Sequence, residues 1–64
     1  MREQELWRRI AAHVGASYAP TWGRDVVLAQ LGDRTVIEAL DAGVPAQSVW
    51  RAVWEFLDLP AGER

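Results

Sequence analysis

GDRTVIEALDAGVPAQSVWRAVWEFLDL, residues Gly32–Leu59, is the stretch that decides the fold. Thr35-Val-Ile-Glu38 is a capping box, with threonine at the cap, glutamate three residues on and apolar residues between and after. It predicts a short helix from Val36 to about Ala42, ended by Gly43 and followed by the apolar Val44. Pro45 then suits the first position of a longer helix. The cap residue of that helix is Val44, chemically a poor one, so Gln47 or Ser48 is expected to share the capping. On this last helix Ala46, Val49, Trp50, Val53, Trp54, Phe56 and Leu57 form one broad apolar side. Gln47, Ser48, Arg51, Glu55 and Asp58 fill the opposite arc. Leu59-Pro60 ends the helix, because the residue before a proline is disfavoured in the helical region. Ala61–Arg64 reads as a frayed tail.

The preceding residues supply the cover for that apolar side. Glu3–Val14 predicts a first helix, with Leu6, Trp7, Ile10, Ala11 and Val14 in one stripe at helical period. Glu5 and Arg9 stand i,i+4 in the favourable order, which contributes only a few tenths of a kcal/mol. Gly15 closes this helix. Ser17 is the expected cap of a second helix, with Tyr18, Ala19 and Pro20 in its first turn, running to Leu31 and ended by Gly32. Gly23 leaves room for a break at Trp22–Gly23. Tyr18, Trp22, Val26 and Ala29 share a stripe, while Val27, Leu28 and Leu31 fall elsewhere. Apolar residues nearly all round place this helix at the centre of the bundle. The expected architecture is a single all-α domain over residues 1–60, a compact bundle of about four short helices with a helix-turn-helix-like C-terminal half and no strand.

Composition narrows the function. The chain has 64 residues, half of them apolar, with four tryptophans and no cysteine. A chain of this length buries only about 60% of its unfolded surface, so large aromatics are a means for a small core to suffice. The lack of cysteine excludes disulfides and thiolate metal sites. With one histidine, His13, and no carboxylates at ligand spacing, no metal site is expected. The charged N-terminus is no signal peptide, and no apolar run reaches the roughly 20 residues of a membrane span. A cytoplasmic protein without membrane attachment is the simplest expectation.

Catalysis needs a positioned acid–base pair, an activated nucleophile or a metal. The chain offers no such constellation, and neither an enzyme nor a cofactor is expected. His13 reads as a boundary residue of the first helix, and Asp25 as an ion-pair partner of Arg24, Arg34 or a helix end. Gly32-Asp-Arg-Thr lacks the glycine spacing and lysine of a phosphate loop.

Two binding readings remain. Four tryptophans exceed what so small a core readily holds. Trp22 and Trp50 are assigned to the core, and Trp7 and Trp54 are the candidate interface for a protein partner or for self-association. The alternative lays Thr35–Val53 on a helix-turn-helix, with small Ala39 at the helix crossing and Gly43 in the turn. Gln47, Ser48 and Arg51 are then the candidate nucleic-acid contacts. Glu38 sits where that pattern is usually apolar, and Glu55 and Asp58 oppose phosphate. The seven basic residues, all arginine, leave a net charge of -2, which gives no strong phosphate attraction.

A wider pattern runs through the chain: Leu6-Trp7, Ser17-Tyr18-Ala19, WGRDVVLA at Trp22–Ala29, LGDRTV at Leu31–Val36, Ala39-Leu40, Gly43-Val44 and VWRAV at Val49–Val53. As a set these resemble the actinobacterial domain of unknown function 3046 over nearly the whole length. Val44 stands where such sequences often have an acidic cap, and Trp54 where a smaller residue is common. The resemblance implies a short, single-domain cytoplasmic protein with no assigned activity, often encoded near recombination genes. It transfers no site residues.

Overall fold

A computed structural model describes the whole chain, Met1–Arg64. Four α-helices are joined by short connections: α1 (Glu3–Val14), α2 (Ala19–Asp25), α3 (Val36–Asp41) and α4 (Ala46–Phe56). Between α2 and α3 lies a small antiparallel hairpin, β1 (Val27–Leu28) paired with β2 (Arg34–Thr35), spanned by a 3₁₀ turn at Ala29–Leu31. The fold is predominantly helical, and the hairpin corrects the expectation of an all-α chain.

The correction falls on the second helix. It ends at Asp25 and does not reach Leu31, and Val26 turns extended at φ -85, ψ 123. An apolar run as short as Val26-Val-Leu28 satisfies helical and strand period equally, and two adjacent β-branched residues favour the strand. Alternation then buries Leu28 completely and leaves Val27 exposed. Leu28 enters the core through an extended segment, so α2 does not form the centre of the bundle. That position belongs to α4, which buries Val49, Trp50, Ala52 and Val53. Leu6 and Ile10 of α1, Leu28, and Val36 and Ala39 of α3 pack around them in one cluster. Two-residue strands hold little by themselves. The hairpin is fixed by the burial of Leu28 and Thr35.

Thr35 does two jobs, pairing in β2 and capping α3. Its Oγ1 accepts from the Glu38 N–H at 3.1 Å, and its own N–H donates to Glu38 Oε1 at 2.8 Å. The expected capping box is present in full. Two other expected caps are not. Ser17 does not cap α2, whose cap residue is Tyr18 in helical conformation, with the Ala19 N–H already donated to the Gly15 carbonyl at 2.9 Å. The cap of α4 is Pro45 itself, not Val44, and neither Gln47 nor Ser48 supplies a side-chain cap bond. On α1, Glu5 joins Arg9 at 3.0 Å and Arg8 at 3.2 Å. The hydrogen bond from Arg9 and the charges of both arginines hold its carboxyl below the ordinary range.

Three of the chain's short turns close in the same way. Asp33 N–H donates to Leu28 C=O and Gly32 N–H to Ala29 C=O; Val44 pairs with Ala39 and Gly43 with Leu40; Leu59 pairs with Trp54 and Asp58 with Glu55. This is the nested pattern of the Schellman motif, which requires a left-handed residue at the penultimate position. Gly32 at φ 73 and Gly43 at φ 89 meet the requirement without steric cost, but the third motif places Asp58 there at φ 54. Replacement Asp58→Gly is expected to stabilise the domain by about 0.5–1 kcal/mol by relieving the left-handed strain. For so small a domain that is a rise of several degrees in melting temperature, read by circular dichroism. An unchanged or lower Tm would contradict the backbone described.

Candidate functional site

The four tryptophans divide into two buried and two half-buried rings. Trp22 and Trp50 are core residues, 6% and 1% exposed, as the sequence predicts. Trp7 and Trp54 lie at the boundary in separate surroundings.

Trp7 projects from α1 onto α2. Gly23 is buried beneath it, and a Cβ built on that glycine would stand 2.7 Å from Trp7 Cζ3 and closer still to Cη2. Gly23 therefore does not break α2; it lets a large ring lie on the helix backbone. Beside the ring, Trp7, Pro20 and Ile37 line an open apolar recess of about 280 Å³. Three elements build it: α1 supplies the ring, the first turn of α2 the proline, and the first turn of α3 the isoleucine. Its partly exposed aromatic edge was legible in the α1 pattern. Pro20 and Ile37 were not, because each reads locally as a helix-start residue.

Trp54 is covered by residues expected to fray. Ala61–Glu63 forms a 3₁₀ turn that folds back on α4. Trp54 Nε1 donates to the Pro60 carbonyl at 2.9 Å, and Trp50 Nε1 to the Glu63 carbonyl at 3.0 Å. His13 Nε2 donates to Glu63 Oε1 at 2.9 Å, and the Arg64 guanidinium lies 5.4 Å from the centre of a Trp54 ring. His13 also stacks on Trp50, with centroids 6.2 Å apart, and Arg9 lies 5.6 Å from that ring. The last residues thus form a strap across α1 and α4. The signal for it was two indole N–H donors at i,i+4, both needing acceptors once half-buried.

The remaining candidates stay apart from both places. Asp25 accepts from Arg24 Nε at 3.3 Å on the surface, one of the pairings foreseen for it. Gln47, Ser48 and Arg51 are all exposed on the outward side of α4, together with Glu55 and Asp58. Phe56, placed on the apolar side of α4, is 42% exposed and meets Trp22 edge-on at 6.2 Å. Tyr18 is also outside the core, 51% exposed. No helix is long and apolar enough to cross a membrane.

Among curated proteins and among solved structures, none matches this chain. One family model does, over residues 1–62, and it takes in all four helices, the hairpin and the start of the strap. The chain therefore belongs to the family described as "Protein of unknown function (DUF3046)".

Proposed function

We propose that this protein is a cytoplasmic, non-catalytic interaction module that receives an apolar side chain of a protein partner in the recess of Trp7, Pro20 and Ile37. The observation that carries the reading is the recess itself, an apolar hollow with a half-exposed indole beside a filled core. At about 280 Å³ it falls below the roughly 300–1,000 Å³ of small-molecule sites, and it lacks their convergent polar groups. An aromatic edge with aliphatic neighbours is the anchor chemistry of protein interfaces. A second copy of the chain is one partner of that kind.

Ile37→Glu tests this reading. Position 37 lies in the first turn of α3, where a carboxylate is favoured by the helix dipole, so the fold is expected to persist. A charge in the recess is expected to weaken partner capture at least about tenfold. The readouts are sedimentation of the purified chain and pull-down from native extract with and without nuclease. Capture or self-association that survives nuclease and disappears in Ile37→Glu supports the proposal. Capture that depends on nucleic acid and is indifferent to Ile37→Glu overturns it. That result would favour the second reading, a nucleic-acid or repair-associated role, for which the exposure of Gln47, Ser48 and Arg51 on α4 speaks.

A further inference from the structure

We propose that the face formed by Arg9 and His13 of α1 with Trp50 and Trp54 of α4 is a peptide-binding site. Its ligand is a partner segment with a proline followed three residues on by a glutamate, and residues 60–63 occupy the site in the free protein. The ligand chemistry is read from the occupant. Both indole donors address main-chain carbonyls, those of Pro60 and Glu63, three residues apart. One side chain is read by hydrogen bonding in addition, the Glu63 carboxylate, which accepts from His13, while the Arg64 guanidinium lies over the Trp54 ring. Main-chain recognition with one charged anchor does not depend on the segment being attached to the same chain. A proline at the leading position suits an indole donor, since it presents a carbonyl and brings no N–H of its own that would need a partner.

The strap is also separable from the core. Pro60–Arg64 are all exposed, and none of them belongs to the buried cluster or to the apolar residues packed against it. Its departure removes no apolar side chain from the interior. What it leaves is two indole N–H groups and an imidazole without their acceptors, on a surface already bearing the Arg9 guanidinium. These groups then turn to water, and a segment of the same pattern can replace that water with the same carbonyl and carboxylate acceptors. The attached strap competes at an effective concentration in the millimolar range, which makes the site self-masked. This site is distinct from the recess of Trp7.

The test uses the full chain and a blocked synthetic peptide of sequence LPAGER, followed through the indole N–H resonances of Trp50 and Trp54. The wild-type protein is expected to respond only near millimolar peptide. Glu63→Arg removes the anchor and places a cation beside His13 and Arg9, so the peptide is expected to bind this variant about tenfold more tightly. Glu63→Gln serves as the milder variant should the arginine unfold the chain. Trp54→Phe keeps the ring and deletes one donor, and it is expected to abolish the response. Ile37→Glu is expected to leave the titration unchanged, which separates this proposal from the preceding one. A folded Glu63 variant in which neither indole responds to several millimolar peptide overturns the proposal, as does equal binding to Trp54→Phe.

Discussion

Trp50→Ala is expected to abolish the folded state at ordinary temperature. The ring is 1% exposed, stacked on His13 and faced by Arg9, and its N–H is donated to the Glu63 carbonyl. Truncating a buried tryptophan to alanine costs about 3–5 kcal/mol through lost burial and the cavity left behind. A domain of this length is stable by only about 3–10 kcal/mol in total. The loss therefore consumes most or all of the margin. Trp50→Phe isolates the hydrogen bond from the packing, because it keeps an aromatic in place and deletes only the donor and part of the area. It is expected to remain folded with a loss of about 1–2 kcal/mol. Urea and thermal denaturation followed by far-UV circular dichroism read both variants. A Trp50→Ala chain melting within a few degrees of wild type would refute the assignment of this residue to the centre of the core.

Gly23→Ala is the second large effect, and its sign is the informative part. In an ordinary helix this substitution stabilises by up to about 1 kcal/mol, since glycine is the more flexible residue when unfolded. Here the added methyl enters the volume of the Trp7 ring. Overpacking of that kind costs about 1–3 kcal/mol. The net expectation is destabilisation by about 1–2 kcal/mol, because the far end of the indole abuts Gly23 and the ring also packs against the core, which restrains its retreat. In a Trp7→Leu background the ring is gone and the same Gly23→Ala change is expected to stabilise. A double-mutant cycle by thermal melts measures the coupling directly. Additive effects in the cycle would show that Trp7 does not rest on Gly23.

Much of the fold was legible because its determinants are local. The stripe of α1, the Thr35–Glu38 box and the Gly43 turn each lie within a few residues, and each appears where the pattern places it. The second helix was misread because Val26-Val-Leu28 carries no period of its own. Its extended state is settled by where Leu28 can be buried, a fact of tertiary packing. Gly23 was read as a helix-weakening residue, and its role emerged only when Trp7, sixteen positions earlier, was found on top of it. The strap was lost for a related reason. Ala61–Arg64 has no apolar residue large enough to suggest docking, and its attachment runs through backbone carbonyls that no side-chain pattern records. Of the two candidate interface tryptophans, both half-buried, Trp7 borders the recess and Trp54 is engaged by the chain itself.

The bond between His13 and Glu63 joins residues fifty positions apart. Most of the other side-chain bonds lie within a helix, a cap or a single turn and close early, at little entropic cost. The His13 contact can form only after α1 and α4 have met, whereas the carbonyl bonds to Trp50 and Trp54 need α4 alone. A contact closed that late is expected to leave the rate of folding nearly unchanged and to lengthen the lifetime of the native state. In kinetic terms the His13–Glu63 bond is expected to act as a latch, adding little to assembly and slowing the opening of the bundle.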